Sequence, residues 1–288
     1  MNNMDQTMDQ TRRLSDTLSE TSAKRFYNPF SDFDWPAQLE PGKLAFARNL
    51  STLNFLPEAI ELTQEQEQQF LLLECINFFS LNIQGEKALI EGMVTRLHDR
   101  YPEEVSRYLH HFIDEENKHM SVFAEFCRRY GGRVYGGKKP ALGSSLGQAI
   151  DDLLFFARIV IFEEVADYYN RKMMDDTTLD STVQAIHRMH HQDESRHLAF
   201  GRRWVGELYQ AAAEQWSDEQ KAAIDDYLRD YVEAAWREYY NPYFMRDAGI
   251  ADAYGISRKA FAHPHAEHFR AQVMAPCLAQ LQQQGILN

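Results

Sequence analysis

Cysteine is scarce: Cys75, Cys127 and Cys277 are the only three in 288 residues. They are far apart, odd in number and in no Cys-x-x-Cys pair. That excludes a disulfide frame and a zinc knuckle, and fits reduced thiols in a reducing compartment. Positive charge is short as well, with 30 basic residues against 43 acidic and a formal charge of −13. The balance excludes a broad phosphate-binding surface, and no basic stripe with interleaved aromatics occurs, so nucleic acid is not an expected partner. No uncharged apolar run approaches bilayer-spanning length, and no N-terminal stretch has the order of a signal peptide. Strand and hairpin patterns are missing too, which leaves an all-α class. The chain reads as cytoplasmic, with no membrane partner. Hydrophobic residues make up 44%, enough for a core.

Residues 1–24 are polar and poor in anchors, predicting a flexible N-terminal tail. Residues 25–57 are rich in aromatics and broken by Pro29, Pro36, Pro41 and Pro57, predicting an ordered wrapping segment with one short helix. From Glu58 the texture is helical. A long first helix has apolar residues recurring at threes and fours. Pro102 suits a helix start, and "GGRVYGG" stops the second helix. A third begins at the Ser144-Ser145 pair. "DDTTLD" holds its end and the cap of a fourth helix over 181–215. "SDEQ" is a capping box for a fifth, reaching about Tyr240, and one or two shorter helices finish the chain. Four core helices of about 25–35 residues exceed the usual globular length and favour a bundle.

The stretch "HHQDESRHLAF" over 190–200 holds the most informative pattern. At about 100° per residue, Glu194 lies about 40° and His197 about −20° from His190, so the three share one helix face. Converging imidazole and carboxylate make a divalent-metal site of mixed nitrogen and oxygen character. A lone Glu-x-x-His is weak evidence, since a solvated charged face would look the same. The chain repeats it: Glu116-Asn117-Lys118-His119 lies on a different helix, again preceded by an acid, Glu115 as Asp193 precedes Glu194. Glu86 lies 30 residues before Glu116, and Glu163 lies 31 before Glu194. Two hairpins on this plan, packed antiparallel, direct four glutamates and the histidines to one point. This is the di-metal carboxylate arrangement of a ferritin-like four-helix bundle, with a core over about 58–215, in a single domain over 25–288 with additional C-terminal helices.

The halves differ at one place: four before Glu194 stands His190, four before Glu116 stands Phe112. The metal set is then Glu86, Glu116, His119, Glu163, His190, Glu194 and His197. Glu115 and Asp193 are candidates for orienting ligand imidazoles through their outer N–H. His111 and His187 lie off the relevant faces and read as bland, and His191 points about 100° away from His190, toward groups that would steady the ligands from behind. Helical periodicity permits Glu164 in place of Glu163. Arg158 and Arg196 are candidate substrate anchors, with exposed salt bridges as the plainer reading.

With these motifs in place, about residues 60–215 resemble the di-iron N-oxygenases, the family of the p-aminobenzoate N-oxygenase of aureothin biosynthesis and the chloramphenicol-pathway arylamine oxygenase. That family has four glutamates, two Glu-x-x-His motifs and a histidine four residues before the second, which "HHQDESRH" matches. Alignment without a gap from Glu163 to His197 places the ligand at Glu163, and "GEKALI" places another at Glu86. The spacing from Glu86 to Glu116 is shorter than in the family by a few residues, implying a tighter first hairpin. The resemblance implies two iron ions and O2 as co-substrate. It also implies a small-molecule amine, free or carrier-bound, an external electron donor or reductase, and a homodimer. The product would be a hydroxylamine, nitroso or nitro compound in natural-product biosynthesis. Three alternatives stay open: a di-iron hydroxylase or desaturase acting at carbon, an iron-binding protein of the ferritin type, and a structural helical bundle whose acids are merely solvated.

Overall fold

The computed structural model describes residues 3–98, 100–137 and 146–288. In chain order its helices are α1 (Asn3–Lys24), α2 (Gln64–Val94), α3 (Glu103–Phe126), α4 (Gln148–Met173), α5 (Ser181–Ala212), α6 (Asp218–Tyr239), α7 (Pro242–Asp247), α8 (Ala253–Phe261) and α9 (Pro264–Gln283). Among the described residues no strand forms, only one isolated bridge between Leu44 and Leu179. The all-α expectation holds.

The starts of these helices follow from local chemistry. Thr63 and Gln66 form a reciprocal capping box on α2, and Ser217 and Gln220 do the same on α6, each satisfying two end donors. Pro102 sits at the N-cap of α3, one place before the first helical residue. Asp180 caps α5 by accepting from Thr182 N at 2.8 Å. The same side chain accepts from Glu40 N at 2.7 Å, so the wrapping segment is tied to the start of α5. That segment contains two 3-10 turns, Arg48–Leu50 and Thr52–Phe55, in place of one short helix. The Ser144-Ser145 start expected for α4 lies outside the described residues.

Helices α2 and α3 form one hairpin and α4 and α5 the other, with α3 meeting α5 and α2 meeting α4 across the bundle. Helix α4 has buried residues on every side from Ile150 to Met173, as expected of a helix surrounded by others. Its neighbours are α5, α2, α6 and α9. Phe79, Phe123 and Phe126 interlock at centroid separations of 4.9 Å. Each wholly buried ring contributes about 1.5–3 kcal/mol. The chain ends in three helices, and α9 has 20 residues with Pro276 inside it. One or two short helices were expected there; Pro264 starts the longest of the three.

The N-terminus differs from the tail expected over 1–24. Residues 3–24 are helix α1, laid against α3 and α5. Its inner stripe is Thr11, Ser15, Leu18, Ser19 and Ser22, all buried. Small residues at spacings of three and four permit close approach without an apolar signature, which is why composition suggested a loose segment. Three of the four hydroxyls are bonded: Ser19 Oγ donates to Ser15 O at 2.8 Å, Thr11 bonds to Glu207 of α5, and Ser22 Oγ accepts from Arg196 Nε at 3.0 Å. Backbone amides from Thr11 to Ser22 are therefore expected to exchange with deuterium at least about 100-fold more slowly than an unstructured peptide. Exchange at the peptide rate would restore the tail.

Candidate metal centre

Each half of the bundle delivers its acids and imidazoles to the same interior point. Glu86 comes from α2, Glu116 and His119 from α3, Glu163 from α4, and His190, Glu194 and His197 from α5. All seven are buried, none more than 1% exposed. His190 Nε2 lies 3.0 Å from Glu194 Oε1 and 3.6 Å from Glu86 Oε1. His119 Nδ1 lies 3.3 Å from Glu116 Oε2 and 3.5 Å from Glu194 Oε1. His197 Nδ1 lies 3.1 Å from both Glu116 Oε1 and Glu194 Oε2. Three overlapping groups each gather ligand atoms within 4.8 Å: Glu86, His119 and His190; Glu116, His119 and Glu194; Glu163, His190 and Glu194. Glu116 and Glu194 thus reach more than one imidazole, the placement a bridging carboxylate needs.

Helical periodicity allowed Glu163 or Glu164, the family resemblance pointed to Glu163, and the two side chains part accordingly. Glu163 enters the cluster, whereas Glu164 turns away to accept from Arg202 Nε at 2.6 Å.

Burial pushes the carboxyls of Glu86 and Glu163 well above the usual range, and neighbouring acids push them further. Burial acts on Glu194 in the same sense, yet His197 and His190 outweigh it and hold that carboxyl well below its ordinary value. Burial would lower His119 and His197, but bonds from Asp193, Glu115 and Glu116 and the charge of Glu194 raise both well above theirs.

Behind the imidazoles the two hairpins cross over. His119 on α3 directs Nε2 to Asp193 on α5 at 3.0 Å, and His197 on α5 directs Nε2 to Glu115 on α3 at 2.8 Å. Such outer bonds fix the ring and its tautomer. One guanidinium joins the two acids: Arg196 Nη2 donates to Glu115 Oε1 and to Asp193 Oδ1, each at 2.5 Å. Its Nε reaches Ser22 Oγ of α1 at 3.0 Å. Arg196 is 4% exposed, so it is neither the surface salt bridge nor the substrate anchor that sequence reasoning considered.

Two further residues escaped that reasoning. Asn170 on α4 lies 2.9 Å from His190 Nδ1 through Nδ2 and 2.8 Å from His187 Nδ1 through Oδ1. The available signal was its place two turns after Glu163 on the same face. His187, read as bland, is wholly buried, and burial lowers its pKa to about 3, so it is neutral. His191 bonds Asp167 at 2.6 Å, away from the cluster. Phe112, where the second half has His190, stacks on His197 at a centroid distance of 3.7 Å.

A family profile described as p-aminobenzoate N-oxygenase AurF matches residues 8–285. The chain belongs to this family. The AurF-family chain is also 24% identical over 210 residues to the uncharacterized protein Rv0885 of Mycobacterium tuberculosis (strain ATCC 25618 / H37Rv) and to the uncharacterized protein Mb0909 of Mycobacterium bovis (strain ATCC BAA-935 / AF2122/97). The match covers 66% of this chain and 58% of each relative, less than two thirds of their length. Among solved structures, a mutant R2-like ligand-binding oxidase with an anaerobically reconstituted Mn/Fe cofactor has a TM-score of 0.53 at 16% identity, covering 95% of this chain and 93% of that one. The same kind of oxidase with an aerobically reconstituted Mn/Fe cofactor gives 0.50 at 15%, with coverage of 95% and 92%. The AurF-family chain shares their ferritin-like helical fold.

A cavity of about 410 Å³ lies between α2, α4 and α6. Leu81, Leu89, Phe155, Phe162 and Tyr239 give it an apolar wall, and Arg158 brings a cation into it. Arg158 Nε donates to the Leu154 carbonyl of its own helix at 3.2 Å and, among the described residues, forms no ion pair. Phe162 lies so close to Gly85 that a Cβ there would sit 2.3 Å from the ring. Gly85 and Phe162 immediately precede Glu86 and Glu163 in sequence, so the cavity and the acids share helices α2 and α4.

Proposed function

We propose that this chain is a non-haem dimetal oxygenase that uses O2 to oxidise the amine nitrogen of a small molecule. The observation that carries the reading is a set of buried ligand atoms without hydrogen-bond partners: both oxygens of Glu86 and of Glu163, Oε1 of Glu116 and Glu194, and Nε2 of His190. Isolated buried carboxylates are costly and normally find a partner. So many converging on one point fit divalent cations, and the mixed donor set suits iron.

The residues that would hold two ions are Glu86, Glu116, His119, Glu163, His190, Glu194 and His197. Two iron ions, when bound, supply the electrons and the open coordination position for O2 chemistry. The chain's own part is to exclude water, through the buried Phe79, Phe112 and Phe123, and to hold the imidazoles in one orientation. Asp193 and Glu115 keep the protons of His119 and His197 on Nε2, leaving each Nδ1 free to face the acids. The apolar cavity suits a small organic substrate, and Arg158 suits an anionic group remote from its amine. Among the described residues no helix is long and apolar enough to cross a membrane. The reading includes an external electron donor and a homodimer. The Mn/Fe cofactors of the similar R2-like ligand-binding oxidases make a mixed-metal pair the second reading.

The test is anaerobic loading with iron, with manganese, or with both, then metal analysis and O2 uptake against a panel of amines. We expect two ions per chain and products heavier by oxygen atoms derived from labelled O2, attached at nitrogen. Oxygen attached at carbon would move the protein to the hydroxylase reading. A fully loaded protein that consumes no O2 with any amine would remove the oxygenase assignment.

A further inference from the structure

His190 differs from the other two imidazoles of the cluster in the atom it turns inward. His119 and His197 present Nδ1 and anchor Nε2 on a carboxylate. His190 presents Nε2 and leaves Nδ1 to Asn170, a neutral group. A carboxylate only accepts, so it fixes the proton on the nitrogen facing it. A carboxamide accepts at oxygen and donates at nitrogen, and a half-turn exchanges the two. Asn170 lies between two imidazoles, 2.9 Å from His190 Nδ1 and 2.8 Å from His187 Nδ1. The far nitrogen of His187, Nε2, is buried without a hydrogen-bond partner, among the rings of Phe78 and Phe79 at centroid distances of 5.5 Å.

This chain admits two arrangements with the same number of protons. In one, the Asn170 amide donates to His190 Nδ1, and its oxygen accepts from His187 Nδ1–H. His190 then carries its proton on Nε2, turned toward Glu194 Oε1 at 3.0 Å. In the other, the amide is turned: His190 Nδ1–H donates to the Asn170 oxygen, and the Asn170 nitrogen donates to His187 Nδ1. The His190 proton is now on Nδ1, its Nε2 lone pair faces the acids, and the His187 proton is on Nε2 against the aromatic rings. Only the second arrangement offers His190 to a metal ion.

We propose that Asn170 and His187 form a positioning pair that switches the inward Nε2 of His190 from a protonated nitrogen to a metal ligand by rotation of one carboxamide. The proposal rests on the metal-centre reading above. It requires His190 and His187 to carry their protons on opposite nitrogens in every state, because the amide between them cannot donate to both or accept from both. Neither Asn170 nor His187 is placed as a ligand. Loading is then coupled to tautomer exchange in a ring two residues removed from the ion.

The test uses the full chain with histidine nitrogens labelled, observed by NMR in metal-stripped and zinc-loaded states, together with zinc titration by calorimetry. In the wild type we expect His190 to move from Nε2–H to Nδ1–H on loading, and His187 to move the opposite way. Asn170→Leu is expected to weaken the site holding His190 by about tenfold or more, the usual scale for losing an orienting partner. The other site should keep its affinity. Asn170→Asp, which can only accept, should restore zinc affinity and hold His190 as Nδ1–H even without metal. Equal affinity of Asn170→Leu and wild type, or matching tautomers at His187 and His190, would overturn the proposal while leaving the metal reading intact. A wild type that takes up no ion would end the metal reading, and the tautomer comparison in stripped protein would still decide the coupling. If Asn170→Leu does not fold, Asn170→Asp decides the outcome alone.

Discussion

Glu163→Gln is expected to abolish O2 uptake and yet raise the melting temperature of the metal-stripped protein. The side chain is wholly buried, with both oxygens lacking hydrogen-bond partners, and burial together with Glu194 and Glu116 pushes its carboxyl well above the usual range. A neutral amide of the same shape needs no proton, so the cost of keeping one on Glu163 above about pH 4.5 disappears, and the gain in stability should rise with pH. Each kcal/mol gained corresponds to about 2–4 °C for a chain of this order of size. The same change removes a ligand oxygen, so the loss of metal affinity should exceed the about 10–100-fold typical of losing a ligand's orienting partner. Calorimetric melting with and without metal checks both halves. A stripped variant that melts below the wild type would show that Glu163 is paired in some other way.

The pH dependence of the stripped protein follows from the same groups. Glu86 and Glu163 have raised folded-state pKa values, so the folded chain keeps protons that the unfolded chain releases above about pH 4.5. Their contribution falls as pH rises. His119 and His197 are also raised; their contribution is complete below about pH 6.5 and is lost as pH climbs through the folded values. Glu194, Glu115 and Asp193 are lowered, so they act on the acid limb, losing their contribution as pH falls through the lowered values. Stripped protein is expected to melt higher at pH 5.5 than at pH 8. Metal binding releases these protons, so the gain in Tm on loading should grow with pH.

Arg196→Leu is expected to be the most destabilising single change outside the aromatic core. It leaves Glu115 and Asp193, 5% and 3% exposed, facing one another without their shared cation. Removing one partner from a buried ionic network costs about 3–5 kcal/mol, a fall in Tm on the order of 10 °C. Arg196→Lys should recover only part of this, because an ammonium lacks the planar fork that joins two carboxylates. Adding Glu115→Gln to the leucine variant should return some stability, giving a non-additive double-mutant cycle. Additive losses would show that the guanidinium and the two acids do not act as a unit.

The core bundle was legible because its signals are local. Capping at Thr63, Asp180 and Ser217 and the spacing of Glu-x-x-His are properties of a few adjacent residues. The repeat of that motif placed the acids on facing helices without tertiary information. What was missed depends on partners far away in sequence. Arg196 looks like a surface cation until Glu115, 81 residues earlier, is brought beside it. Asn170 has no signal apart from its helical phase, since its importance comes from two histidines on the next helix. Helix α1 buries serines and threonines, so hydrophobic periodicity does not mark it. Glu163 and Glu164 differ by one position on a helix buried on all sides, where phase cannot rank them.

The crossed bonds behind the imidazoles have a consequence for how the molecule is built. Neither hairpin can orient its own Glu-x-x-His histidine, because the anchoring acid belongs to the opposite hairpin. A half-length ancestor or fragment would therefore have had to pair with a second copy before its histidines were held. In the present chain, a competent centre can appear only when both halves have docked.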